Sequence, residues 1–527
     1  MTIKQKLENL HIVSKSHPSH YLLHKYWGRK PHNLISEYID IFTKPGDMVI
    51  DPFMGSGGVV IESNKMSRRS IGVDLNPMAC LIVNETLKGD VDYDKLKKEF
   101  QEIIDSIPEE VINLTYTKDL DGNLHLIDNA VWDHGELTRL KYYRDGKRVI
   151  KDADKFDQQN VKLAKKMLKK YHDSGDVIYP KDEIMAYVKR SGKSYIYELF
   201  TERNLLIAAF FMAGIRKVKD KNARESLTLI FTSALPNFSS MIPGDATTGN
   251  GRSGWQISKF WVPKIHTEKN AINTLKLRLT KYINGKKEIK ELCTDTDYKV
   301  LNQSSENLSN IPAGSVDYVF TDPPYGESIS YFALSSFWTT WLDFSVDYTN
   351  EIIYDPYRNK KEEDYSLRLD KAFGQVHRVL KNDGYMSFTF HNRHIKFWKI
   401  VIDAVYRAGF ELIHVKWVDQ AVASGTQGIN RNNTLKGDFV YTFKKLDKSL
   451  YEHNIVNGEK IIDRIIEKLL KNNTHVTTAK LYEALIPEIV KDQAYYDSNG
   501  KLLDIDKYIA KKYEYKLQKD GYHGWSV

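Results

Sequence analysis

From Met48 to Asn76 short apolar runs alternate with small and polar residues, MVIDPF, then GSGGVVIESNKM, then SIGVDLN. Apolar runs of this length bounded by Gly, Asp and Asn predict a strand, a glycine turn, a helix and a second strand. The same rhythm returns near Lys299. There KVLNQSS and VDYVFTDPPY predict strands separated by a short helix around Glu306 to Ser309. A helix from Tyr365 to Leu380 follows, then the turn Asn382-Asp383-Gly384 and the strand YMSFTF. A helix from Trp398 to Ala408 leads through Gly409 to the strand FELIHVKWV, and Asp438 to Lys444 supplies the last strand. Strands alternating with helices predict an α/β fold with a mostly parallel, doubly wound sheet covered on both faces.

Between these two blocks the pattern changes. The segment 90–296 is rich in Lys and Tyr and is predicted to be a large, mainly helical insertion, with an amphipathic helix at Gln159 to Tyr171 and a more apolar one at Glu202 to Ile215. Within it Met241 to Trp255 (MIPGDATTGNGRSGW) has the composition of a mobile loop. After Leu446 helical periodicity returns at Ile461 to Leu470 and Thr478 to Val490, which predicts a small helical appendage. The chain therefore divides into a first half-domain 1–89, the insertion 90–296, a second half-domain 297–445 and the appendage 446–527.

Composition narrows the class without fixing it. The 527 residues are 41% hydrophobic and 12% aromatic, enough for a large core. A net charge of +8 and a pI near 8.9 are compatible with a polyanionic partner. Cys80 and Cys293 lie far apart, so neither a disulfide framework nor a zinc site is expected, and a reducing cytoplasm fits. The start lacks the apolar core of an export signal, and the longest apolar run, Leu205 to Ile215, is too short to cross a bilayer. A soluble cytoplasmic protein is expected.

The candidate chemistry sits at the predicted strand ends. In DPFMGSGG, Asp51 closes a strand, Pro52 and Phe53 follow, and Gly55, Gly57 and Gly58 let backbone approach a ligand where a Cβ would obstruct it. Asp74 closes the next strand before Leu75 and Asn76, where an acidic side chain typically binds ribose hydroxyls of a nucleoside cofactor. Val60 stands where a dinucleotide site needs its third glycine, and no Gly-Lys-Ser/Thr follows, so neither a dinucleotide fingerprint nor a P-loop is present. Downstream, Asp322-Pro323-Pro324-Tyr325 directly follows the strand VDYVF and therefore lies at the carboxyl edge of the sheet. Its two prolines stiffen the turn and present carbonyls that accept from an amine. Tyr325 can stack on a planar group. Between Tyr331 and Leu342, Leu334, Trp338 and Trp341 recur at helical spacing and are assigned to core packing.

These motifs resemble those of the DNA amino-methyltransferases, the N6-adenine and N4-cytosine enzymes. Asp-x-Phe-x-Gly-x-Gly resembles their motif I, which holds the methionine part of S-adenosyl-L-methionine. The segment HKYWGRKPHNL resembles their motif X, which closes that end of the pocket, and implies Tyr26, Trp27 and Lys30 in that role. Asp-Pro-Pro-Tyr matches motif IV, and the continuation GESISYFALSSFWTTWL resembles an adenine-specific subgroup. In the family the strand end holding Ser304 contacts the cofactor adenine, although Gln303-Ser304 replaces the acidic residue often seen there. The resemblance implies a Rossmann-like methyltransferase fold, a double-stranded DNA partner, a flipped-out target base, adenine N6 favoured, no metal, and a restriction endonuclease or other defence protein alongside. The motif order X, I, insertion, IV implies that the insertion recognises the target, with the appendage as the alternative. Arg431 and Lys436, in the loop Ala423 to Asp438, are further candidates for nucleic-acid contact. An N4-cytosine enzyme, an RNA methyltransferase acting on guanine N2 or adenine N6, and an inactive nucleic-acid-binding subunit are the other readings. A protein glutamine methyltransferase usually carries Asn where this chain has Asp322.

Overall fold

A computed structural model describes residues 2–245, 255, 257–392, 394–419, 437–449, 451–452, 455–471, 475–517 and 523–526. Most of the loop Met241 to Trp255, together with Arg431 and Lys436, lies outside the described residues. The strands in chain order are β1 (Met48–Asp51), β2 (Arg69–Asp74), β3 (Tyr116–Lys118), β4 (Leu124–Asp133), β5 (Glu136–Arg144), β6 (Lys147–Asp152) and β7 (Ile265–Lys269). They continue with β8 (Tyr298–Asn302), β9 (Val316–Thr321), β10 (Leu380–Phe390), β11 (Phe410–Asp419), β12 (Gly437–Lys445), β13 (Glu514–Leu517) and β14 (His523–Ser526).

Seven strands form the main sheet in the order β11-β12-β10-β9-β1-β2-β8. β10, β9, β1, β2 and β8 run parallel, and β12 runs antiparallel to both its neighbours. Successive residues of the central strands point to opposite faces. Val49, Tyr318 and Phe320 pack beneath the helix His32–Phe42, while Ile50, Val319 and Phe388 pack on the other side with the helix Glu362–Val379. This is the mostly parallel α/β architecture of the Rossmann-like methyltransferases. Strand order reverses between β1 and β9, since the chain adds β2 and β8 on one side of β1 and β9 and β10 on the other, so the crevice at their carboxyl ends is the natural ligand site.

Between β2 and β8 the chain is mainly helical, with helices Tyr93–Asp105, Lys155–Asp173, Glu202–Lys217, Lys221–Phe238 and Ala271–Leu292. It also holds a five-stranded antiparallel sheet of β3 to β7, which periodicity alone did not suggest. These strands read HLIDNAVWD and ELTRLKYYR, and charges interrupt the apolar alternation because one face is partly solvated. The buried core of this region is continuous with Trp27, Met78 and Ile82, and with Trp338 and Trp341 at the helix Tyr331–Thr339. Trp338, Leu334 and Trp341 are core residues, as their spacing implied. The segment Glu306 to Ser309 is turn rather than helix, because Ser304 and Asn307 draw the backbone N–H groups of Glu306 and Ser309 into Asx- and Ser-type turns. Among the described residues no helix is long and apolar enough to cross a membrane.

Candidate active site

Three strand ends converge on the crevice. Asp51, the last residue of β1, accepts from the Phe53 N–H at 3.0 Å and from the Thr321 hydroxyl at 2.6 Å, which ties β1 to the end of β9. Asp74, the last residue of β2, accepts from the Gly55 N–H and the Asn76 N–H, each at 2.8 Å. The Asp74 carboxylate thus holds the glycine turn against β2, together with the Met54 N–H, which donates to the Val73 carbonyl at 2.9 Å. Burial pushes the Asp51 carboxyl up to about 7, against its hydrogen bonds, and the Asp74 carboxyl up to about 6.

Two glycines leave room here. At Gly55, with φ +52°, a Cβ would stand 3.3 Å from the Tyr26 ring, and at Gly28, with φ +69°, it would meet the Tyr331 hydroxyl at 2.8 Å. Tyr26 and Tyr331 stack with centroids 5.8 Å apart and wall this end of the cavity. The crevice spans about 1050 Å³ of non-atom space, a figure that includes the part open to solvent.

Of the residues singled out in the sequence, Tyr26, Trp27, Lys30, Asp51, Pro52, Phe53 and Gly55 line it, as do Asp74, Leu75, Ser304, Asp322 and Pro324. Gly57, Asn76, Pro323 and Tyr325 adjoin this lining in sequence without being part of it. Gly57 has φ +79°, and a Cβ there would collide with Val83 at 2.5 Å, so its glycine serves helix packing. Asn76 caps the helix Pro77–Leu87 by accepting from the Met78 N–H, and donates to Ser335 at 2.7 Å. Its part is to fix the chain leaving Asp74.

At the other end of the cavity Asp322 follows β9, with 23% of its side chain exposed. One carboxylate oxygen accepts from the Tyr325 and Thr389 hydroxyls, both at 2.6 Å. The buried Lys30 ammonium lies 3.5 Å from this oxygen and 3.1 Å from Asp438, which His391 also contacts. Lys30 also sits 4.8 Å over the Tyr325 ring, whose edge meets Phe390 and His391. Burial works against the ammonium, but the two carboxylates outweigh it and hold the Lys30 pKa above its ordinary value. Burial lifts the Asp322 carboxyl above the usual range, opposed by Lys30. Asp438 is driven far below that range because Lys30 and His391 overcome its burial. The Pro324 carbonyl accepts from the Tyr365 hydroxyl, which accepts in turn from the Gly326 N–H at 3.2 Å, and Asn392 donates to the Tyr325 carbonyl at 3.0 Å. The turn is braced from two sides.

Lys30 is therefore turned toward Asp322 and Asp438 as well as lining the cavity. Asp438, His391 and Thr389 had no signal in the sequence, since β10 and β12 deliver them from far along the chain. Glu351 also lines the cavity, paired with Arg358 at 2.6 Å. Among the described residues no His, Cys, Asp and Glu group could hold a metal ion.

A family model described as DNA methylase matches residues 4–85, which carry Tyr26, Lys30, the glycine turn and Asp74. The chain is 23% identical over 333 residues to the Type II methyltransferase M.MjaII of Methanocaldococcus jannaschii, covering 59% of each chain. Over 60 residues it is 42% identical to the Type II methyltransferase M.Cfr9I of Citrobacter freundii, covering 11% of this chain and 20% of that one. Over 65 residues it is 37% identical to a probable type III restriction-modification enzyme HindVI Mod subunit of Haemophilus influenzae, covering 12% of this chain and 9% of the other. The chain thus spans little more than half of M.MjaII and far less of the other two.

Proposed function

Because this chain belongs to the DNA amino-methyltransferase family, we propose that it transfers a methyl group from S-adenosyl-L-methionine to the exocyclic amine of a base flipped out of duplex DNA, adenine N6 being the favoured target. The observation that carries this reading is one cavity with the Gly55 turn and Asp74 at one end and Asp322 at the other. The cavity fits the cofactor: Gly55 and Gly28 leave space beside Tyr26 and Tyr331, and Asp74 offers a half-buried acceptor for ribose hydroxyls. Asp51, Pro52 and Phe53 with Tyr26, Trp27 and Lys30 would hold the methionine part, and Leu75 and Ser304 the adenine. When bound, the cofactor supplies an electrophilic methyl on a sulfonium.

The protein's part is to make a poor nucleophile usable. The amine lone pair of a base is delocalised into its ring. Asp322 accepts from one N–H and the Pro323 carbonyl from the other, so the nitrogen pyramidalises with its lone pair directed at the methyl carbon. Asp322 must be ionised to do this, and Lys30 favours that form. Tyr325, fixed by Phe390 and His391, stacks on the extruded base and offsets part of the few kcal/mol that flipping costs. Asp at position 322 favours adenine over cytosine by resemblance. With methyl-labelled cofactor, label should enter duplex DNA and not RNA; label in RNA alone, or none, would overturn the proposal.

Cofactor affinity should follow the carboxyls of Asp51 and Asp74. Both are ionised above their pKa values of about 7 for Asp51 and about 6 for Asp74, and each offers its full acceptor strength only in that form. Titration calorimetry should therefore show affinity falling as pH drops through 7 and again through 6, by at most about tenfold per unit for each group. Asp74→Asn should bind more weakly at pH 8 and lose the lower step. An unchanged profile would place the ribose elsewhere.

Within the divisions 1–89, 90–296, 297–445 and 446–527, we assign target recognition to 90–296. Lys165, Lys166, Lys169 and Lys170 are all exposed on the helix Lys155–Asp173, although Lys170 reaches Glu110 at 3.1 Å. Changing the four to Gln should weaken DNA binding across all sequences and reduce its salt dependence by about 0.9 in log–log slope per lost phosphate contact, with cofactor binding intact. An unaltered slope would remove this helix from the interface. A restriction endonuclease working on the same sequence is the partner this reading implies.

A further inference from the structure

The chain after residue 455 folds as helix Glu459–Leu470, the single bridging residue Val476, helix Thr478–Lys491, helix Ile505–Lys512 and the antiparallel hairpin β13–β14. Val476 and Trp525 exchange both backbone hydrogen bonds, at 2.9 and 2.8 Å, and Trp525 also pairs with Tyr515. The β14 strand therefore lies between Val476 and β13. Three helices with a hairpin returning beside the residue before the second helix is the arrangement of a winged helix-turn-helix. Its connection 492–504 is longer than an ordinary turn and is closed by the Tyr496–Leu502 bridge.

Its packing is directional. The helix Thr478–Lys491 sets Leu481, Leu485, Ile486 and Ile489 in a core shared with Trp398 and Val401 of the main domain. The helix Ile505–Lys512 buries Ile505 and Ile509 and leaves Lys507 and Lys511 exposed one turn apart, with Lys512 held by Asp463 at 2.7 Å. Residues 507–519 carry five lysines and one acidic residue, Glu514. The third helix of such a module is the one that enters a DNA groove, and the hairpin beside it meets the backbone. Here the helix is basic, with Lys507, Lys511 and Lys512 against Asp506, whereas in 514–526 Lys516 and Lys519 are balanced by Glu514 and Asp520.

We propose that this unit is a second duplex-DNA-binding element, with the helix Ile505–Lys512 gripping phosphates through Lys507 and Lys511 away from the catalytic cavity. It rests on the reading of the substrate as DNA, and it adds a grip separate from the region assigned to target choice. Each lysine that neutralises one phosphate contributes about 0.9 to the log–log salt slope.

The test uses the full chain, a fluorescent duplex of about forty base pairs and the double variant Lys507→Gln/Lys511→Gln. Its slope should fall by about 2, so that between 50 and 200 mM salt the wild type loses roughly tenfold more affinity than the variant. The Lys507→Arg/Lys511→Arg variant should behave as wild type, whereas a fold-level defect would not be rescued by charge alone. Cofactor affinity and methyl transfer at saturating DNA should not change. An unaltered slope and affinity in the Gln variant overturns the proposal, and if the wild type still methylates DNA it fails alone. Loss of binding in a protein that methylates no DNA supports this element while defeating the catalytic reading.

Discussion

Asp322→Ala is expected to lower methyl transfer by about two orders of magnitude or more, while cofactor affinity stays within about twofold of wild type. The removed group is a charge-assisted acceptor, worth roughly 1.5–3 kcal/mol or about 10- to 150-fold by itself. Loss of amine orientation adds to this. The variant also strands the Tyr325 and Thr389 hydroxyls that now donate to Asp322. Asp322→Asn keeps the volume but replaces a purely accepting carboxylate with an amide, so it should be nearly as slow. Single-turnover rates at saturating cofactor and DNA check both, and turnover near the wild-type rate in either would remove Asp322 from the reaction.

Lys30→Met should produce the largest loss of stability. It leaves two carboxylates, Asp322 and Asp438, on one buried cluster without their shared cation. Breaking a buried pair in this way costs roughly 3–5 kcal/mol, far more than a surface pair. The sign of its pH dependence follows from the two acids. The low pKa of Asp438 contributes stability above its unfolded value of about 3.9 that is lost as pH falls through the folded value. The raised pKa of Asp322 acts oppositely and costs stability as pH rises through it. Removing Lys30 raises both, so the deficit should be greatest near neutral pH and shrink below about pH 4. Urea unfolding measures this, and Asp438→Asn in the Lys30→Met background should restore part of the stability. The acid limb of the rate profile should also move to higher pH, because Asp322 is then harder to ionise. A lysine that only packs would leave that limb in place.

Much of the fold could be read in the chain because strand ends and chemistry coincide. Met48 to Asn76 and the strand before Asp322 announce themselves by short apolar runs stopped by Gly, Asp or Pro, and the sheet places those stops side by side at one edge. Where a residue's job depends on distant partners, the pattern was silent. Lys30 reads as part of a local aromatic and basic segment, yet its electrostatic partners come from Asp322 and from Asp438 at the start of β12. Gly57 and Asn76 read as ligand contacts by position, and the pattern gave no sign that Gly57 also packs on Val83 or that Asn76 caps the next helix. The sheet of β3 to β7 was missed because its strands bury one face unevenly. The hairpin β13–β14 was missed because its strands have only four residues each, too few to show a period.

The central claim is methylation of an exocyclic amine in DNA at Asp322. The most direct measurement incubates wild type and Asp322→Ala with cofactor and unmethylated duplex DNA, digests the product to nucleosides and identifies the methylated species by mass spectrometry. The account predicts N6-methyladenine from wild type and only traces from Asp322→Ala. N4-methylcytosine would keep the chemistry and change the base, whereas a ring-carbon methylation, or equal product from the variant, would contradict it.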